Sequence, residues 1–192
     1  MTIASPATLP AGEPDAEHRR HVVTALVVDR PGTLNRVSGL LRARSFNIES
    51  LSVGATDQPG RSRMTIVIRG DDGHLRQALA QLERLIDVLE VIDLTATPRV
   101  ELELAIVEID APRDPARERA LEAVLSLAGG ASLSSGPETW RAYLAAAPDA
   151  VDHALQALRG FGLRSLVRAG AVAMATGPSP REPRTENGAT DA

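Results

Sequence analysis

HVVTALVVDRPGTLNRVSGLLRARSFNIESLSVG, residues 21–54, contains a strand, a corner, a helix and a second strand in that order. His21 to Val28 is a β-branched, apolar run of strand length, bounded by a turn signal. Asp29-Arg30-Pro31-Gly32 is that turn, and its proline presets the backbone for the start of a helix. Leu34, Val37, Leu40 and Leu41 then recur at helical spacing, which predicts a helix over 33–44 with one apolar face. From Asn47 to Gly54 the chain alternates around Ile48, Leu51 and Val53, the period of a strand.

Working outward, Asp57-Gln58-Pro59-Gly60 signals another turn. Met64, Ile66 and Ile68 alternate in a third strand. Asp71 or Asp72 can cap a helix carrying Leu75, Leu79, Leu82 and Leu85, and Val88 to Leu94 is a fourth strand. The order is β-α-β-β-α-β, the ferredoxin-like arrangement. The second half repeats it. Val100–Ile109 reads as a strand, and Asp114 or Pro115 opens a helix through Leu127 that Gly129-Gly130 stops. A hairpin over Ala131–Ser135 and Thr139–Ala146 turns at Gly136-Pro137. Pro148-Asp149 starts a last helix, and Leu163–Met174 is read as one final strand. The expected fold is α+β, with two ferredoxin-like βαββαβ units over 21–97 and 98–176. Residues 1–20 and 177–192 are polar or proline-rich without period, and disorder is expected there. A sheet with helices on one face must bury its other apolar face elsewhere, so a homodimer is expected.

Composition excludes several chemistries. The 192 residues contain no cysteine, and all 21 basic residues are arginine. Disulfides, thiolate metal sites, a Schiff-base lysine and a P-loop lysine are therefore impossible. Only four residues, Phe46, Phe161, Trp140 and Tyr143, are aromatic, and none lies on the central Ser62–Ile68 strand where an RNA-binding sheet needs stacking rings. With a net charge of −4, nucleic acid is not an expected partner. No apolar run approaches a bilayer-spanning length and residues 1–20 lack a signal-peptide pattern, so a cytoplasmic protein is expected. No nucleophile, dinucleotide or metalloprotease motif is present. His18 and His21 have ligand-like spacing but no cysteine or acid cluster beside them, and a solvated pair is the expectation. His74 and His153 are expected on the surface. Glu101 and Glu103, alternating with Leu102 and Leu104, are expected on a solvated strand face.

The corner is the strongest local feature. Gly32 removes a side chain where a ligand could approach. The N–H groups of Gly32, Thr33 and Leu34 sit at the positive end of a helix, which suits a carboxylate. Asp29, just outside, can hold an ammonium group. Together they suit a zwitterion, against the plainer reading of an ordinary helix start capped by Asp29.

DRPGTLNRVSGLLRARSFNIESLSVG at 29–54, with NIESL at 47–51 and SRMTI at 62–66, resembles the start of the small regulatory subunits of acetolactate synthase (acetohydroxyacid synthase). Asp87–Val91, Val100–Leu104 and Arg168-Ala169-Gly170 continue the likeness. The resemblance implies that the first unit is an ACT domain, the amino-acid-sensing form of the ferredoxin-like fold. It implies a chain with no catalytic residues and no cofactor of its own, which activates a large subunit carrying thiamine diphosphate, Mg²⁺ and FAD. It also implies feedback inhibition by valine or another branched-chain amino acid, bound where two ACT domains of a dimer meet. Asp29, Gly32, Thr33 and Leu34 would supply one side, and Asn47 and Ile48 of the facing copy the other. The loop with Asp57, Gln58, Pro59 and Arg61 would contact the large subunit. Asp29 stands where some members carry Asn, Ser45 where a glycine is frequent, and Asn35 where a smaller residue is usual. The alternatives are a freestanding ACT-type sensor of another enzyme, or a small enzyme on the same scaffold.

Overall fold

The structure is a computed structural model and describes residues 19–43 and 46–177. The tails expected to be disordered, apart from Arg19, Arg20 and Gly177, lie outside the described residues, as do His18 and Ser45. The first unit runs β1 (Arg19–Val28), α1 (Thr33–Ala43), β2 (Asn47–Ala55), β3 (Arg61–Gly70), α2 (Asp72–Leu82) and β4 (Val88–Asp93). Its antiparallel sheet has the order β2-β3-β1-β4. Arg19 and Arg20, expected in the tail, are the first residues of β1 and pair with Gly70 and Arg69. The Asp71 carboxylate, one of the two candidate caps, accepts the Gly73 N–H at 2.8 Å.

The second unit runs β5 (Arg99–Asp110), α3 (Pro115–Leu127), β6 (Ala131–Ser135), β7 (Thr139–Ala146), α4 (Pro148–Arg159), β8 (Leu163–Arg168) and β9 (Val172–Ala175). The chain is thus α+β, two βαββαβ units in tandem, with the helices of each packed on one face of its sheet. The single last strand expected over 163–174 is two. β8 and β9 pair with successive parts of β5, and Ala169–Ala171 interrupts them. A glycine inside a strand pattern marks such a break.

That break joins the two units. A side chain on Gly170 would meet Ser52 Oγ at 2.7 Å and the Leu51 backbone at 3.2 Å. Ala171 is wholly buried and, with Ala173 and Ala175, covers Val22, Val67 and Ile92 on the helix-free face of the first sheet. The homodimer was expected in order to cover this face; part of it is covered by the chain itself. With helices on one side and β9 on the other, every residue from His21 to Val27 is buried. His21 is consequently not half of a solvated pair. Its ring is 0% exposed, with Nε2 bonded to the Gly70 carbonyl oxygen at 2.9 Å.

The orientation of β5 also corrects an expectation. Glu103, Ala105, Val107 and Ile109 face the helices, while Leu102, Leu104 and Ile106 are each more than 40% exposed. Glu101 and Glu103 are ion-paired rather than solvated. Glu101 bonds Arg20 of β1 and Arg99, the latter at 3.0 Å, while Glu103 bonds Arg168. Two-residue alternation assigns two faces without saying which is inside, and here arginine partners let the acidic face turn inward. Among the described residues no helix is long and apolar enough to cross a membrane.

Candidate functional site

The β1–α1 corner begins where β1 leaves the sheet at Val28, whose N–H donates to the Asp87 carbonyl at 2.8 Å. Gly32 then takes φ +89°, a conformation that L side chains rarely adopt. The first turn of α1 contains no acidic residue. The N–H groups of Gly32 and Leu34 find no protein partner among the described residues. Thr33 differs from the expectation: its N–H donates to Arg30 O at 3.3 Å, and its side chain is buried with an unpartnered hydroxyl. Two outward donors remain instead of three. Leu34, read as part of the buried helix face, is 45% exposed; Thr33, Val37 and Leu41 form that face. Asp29 is exposed at the mouth of the corner.

Asn47 and Ile48 lie elsewhere in the same chain. Ala55 pairs with Ser62 and Arg61 with Val28, so the corner sits at the Ala55 end of β2. Asn47 pairs with Arg69 at the opposite end, roughly 25 Å away at strand rise. One copy therefore does not assemble the six residues.

The Thr56–Arg61 loop adjoins the corner, since the Asp29 N–H donates to Gly60 O at 2.8 Å. The loop is tightly folded. Thr56 Oγ1 donates to the carbonyls of Gln58 and Arg61, the Arg61 side chain donates to Gln58 Oε1 at 2.5 Å, and Gly60 has φ +74°. Asp57, Gln58 and Pro59 stand exposed at its tip, and Arg61 is half-buried.

One group at the corner escaped the sequence reading. Asp87, 1% exposed, ion-pairs with both Arg30 and Arg36. It lies 51 residues from Arg36, so no local pattern could reveal the contact.

Two concavities flank the seam between the units. One, of about 550 Å³, is apolar and includes Val53, Val100, Leu102 and Met174; the other, of about 470 Å³, is polar and includes Arg20, Glu49 and Arg168. The arginines lining the polar one, Arg20, Arg69 and Arg168, are each ion-paired. Burial disfavours ionisation of Glu101, but hydrogen bonds from Arg20 and Arg99 outweigh it and hold its carboxyl below the usual range. The Glu101 bond raises the Arg20 pKa. Among the described residues no group of three or more histidines and acids could hold a metal. His153 is exposed.

The βαββαβ order and the glycine corner after the first strand are those of an ACT domain. A family model described as an AHAS small subunit-like ACT domain matches residues 24–90. The acetolactate synthase small subunit of Aquifex aeolicus is 37% identical over 168 residues, covering 88% of this chain and 87% of its own. That of Mycobacterium bovis is 36% identical over 160 residues, covering 83% and 94%. The crystal structure of the acetolactate synthase small subunit from Thermotoga maritima superposes with a TM-score of 0.74 at 29% identity, covering 84% of this chain and 99% of its own. The chain belongs to the family of acetolactate synthase small subunits.

Proposed function

We propose that this chain is the regulatory partner of a catalytic acetolactate synthase large subunit. It raises that subunit's rate and lowers it again when valine, or another branched-chain amino acid, binds at the β1–α1 corner. The observation that carries the effector half is the corner, with two free N–H groups at a helix N-terminus beside an exposed carboxylate. A carboxylate meets the N–H groups and an ammonium group meets Asp29, which together suit a free amino acid. Chemistry stays with the large subunit, which holds the thiamine diphosphate, Mg²⁺ and FAD. The small subunit contributes binding and conformational bias, in the cytoplasm where the two meet.

The full site needs a second copy. Among the described residues β2 pairs with β3 alone and offers its other edge. An identical β2 laid antiparallel on that edge would bring its Asn47 end alongside Ala55, beside the first copy's corner. Asn47 would then bond the polar end of the effector, and Ile48 would pack on its branched side chain. Because Asp29 is hydrogen-bonded to Gly60, movement at the occupied corner passes directly to Asp57, Gln58, Pro59 and Arg61, the surface we assign to large-subunit contact.

The test mixes this chain with a purified large subunit and follows acetolactate formation. The rate should rise on mixing and fall when valine is added. An unchanged rate on mixing overturns the activation reading. A raised rate that valine, leucine and isoleucine all leave untouched overturns the effector reading.

A further inference from the structure

Asp87 faces two guanidinium groups at the corner, so this buried carboxylate and its partners carry one surplus positive charge, two arginines against one acid. The way Arg36 is held matters more than the count. Its Nε and Nη2 both donate to Oδ2 of Asp87. Its remaining nitrogen, Nη1, has no partner among the described residues. That nitrogen lies 3.0 Å from the point a Cβ on Gly32 would occupy. Arg36 stands four positions after Gly32 in α1, and helical side chains lean back over the preceding turn. A free guanidinium edge therefore lies over the glycine ledge whose N–H is also free.

We propose that Arg36 is the side-chain half of the effector's carboxylate site, and that Asp87 is its positioning residue. The inference rests on the effector reading above and adds how the carboxylate is recognised. One carboxylate oxygen takes the N–H groups of Gly32 and Leu34, and the other takes Nη1. Charge-assisted N–H···O bonds of this kind are roughly twice as strong as neutral ones. An arginine already pinned by a buried acid loses little further freedom when the ligand arrives. A Cβ on Gly32 would stand 3.0 Å from Nη1, so the guanidinium would have to give by a few tenths of an ångström. Asp29, on the exposed side, is left for the ammonium group.

Calorimetric titration of the full chain tests this with L-valine and with L-valinamide, which keeps the amine and side chain but replaces the carboxylate by a neutral amide. The parent should prefer valine. Arg36→Gln should lose at least about tenfold in valine affinity, close to 1.4 kcal/mol, while valinamide affinity changes little, so that the preference collapses. Asp87→Asn should narrow the same preference by a smaller factor, a change that general loosening of the fold would not produce. Thermal melts monitor folding, and if Arg36→Gln fails to fold, Arg36→Lys, which keeps the charge but loses the fork, must show the same narrowing. Valine affinity within twofold of the parent, or equal losses for both ligands, overturns the role of Arg36 while leaving the effector site standing. A parent that binds none of valine, leucine and isoleucine overturns the effector reading itself.

Discussion

The two units share one fold and treat it in opposite ways. In the first, the corner after the opening strand is open and the helix-free face of the sheet is covered in part by the second unit. In the second, the corner is closed and the face is open. Both corners carry an aspartate at the strand end and a proline, Asp29 and Pro31 in one, Asp110 and Pro112 in the other. In the second, the Asp114 side chain reaches forward over the helix start and accepts the N–H groups of Ala116 and Arg117 at 3.0 and 2.9 Å. Its helix start is satisfied internally. In the first, Gly32 stands at the corresponding cap position and the donors stay free. Backbone donors left open at a helix N-terminus forgo stability that a single aspartate would supply, and the carboxylate of the proposed effector would take that place. The faces invert the pattern. Val22 and Val67 of the first sheet are 0% exposed beneath the second unit, whereas Leu104 and Ile106 of the second sheet are left in the open.

The largest effect should come from making the first corner resemble the second. Gly32→Asp puts a carboxylate at the cap position that Asp114 holds in the second unit, beside the free N–H groups and Arg36. The chain then occupies its own site and repels a ligand carboxylate, with added strain because φ is +89° at this position. Valine affinity should fall at least thirtyfold, about 2 kcal/mol by calorimetry. Activation of the large subunit without valine should persist. Valine binding as tight as the parent's would mean that the ligand carboxylate does not sit at this corner.

Much of this contrast was legible in the sequence. The Pro31–Gly32 corner could be read because proline and glycine fix local backbone geometry, and the bounds of β6 and β7 could be read because Gly129-Gly130 and Gly136-Pro137 punctuate them. What could not be read was long-range. Alternation in β5 shows two faces, but only the arginine partners of Glu101 and Glu103, 81 residues back and 65 residues on, decide that the acidic set turns inward. The burial of His21 depends on the β3–α2 junction some fifty residues later, where the Gly70 carbonyl bonds its ring and Asp72 stands beside it. Gly170 lay inside a run read as one final strand, and its purpose, close approach to Leu51 and Ser52, needed the first sheet in place. Asp87 read as an ordinary residue before a strand because both of its arginine partners lie more than fifty residues back in the chain.

The covered face of the first unit depends in part on charge. Glu101 on β5 bonds Arg20 on β1, tying one unit to the other. Its carboxyl titrates below the usual range in the folded chain, so the stabilisation is present above the ordinary glutamate value of about 4.3 and is lost as pH falls through the lowered one. Glu101→Gln should therefore cost about 1–2 kcal/mol in urea melts at neutral pH. The gap between variant and parent should close as the acid limb is entered. A gap that stays constant with pH would show that the seam is held by packing at Gly170 and Ala171 rather than by this ion pair.

The smallest effect belongs to the second corner, and it bears most directly on the contrast between the two. Asp114→Ala removes the cap of α3 and leaves the Ala116 and Arg117 donors to water. Such caps are worth about 1 kcal/mol, which a thermal melt or urea titration resolves. Valine affinity should not change, because α3 has no pinned arginine over a glycine ledge and its donors, once freed, form only half of a carboxylate site. If Asp114→Ala instead created a second valine site, an uncapped helix start alone would suffice to make this fold a sensor, and the special status of Gly32, Arg36 and Asp87 would be lost. Unchanged stability would show that water serves the α3 donors as well as the carboxylate does, and that leaving the first corner open costs the chain nothing.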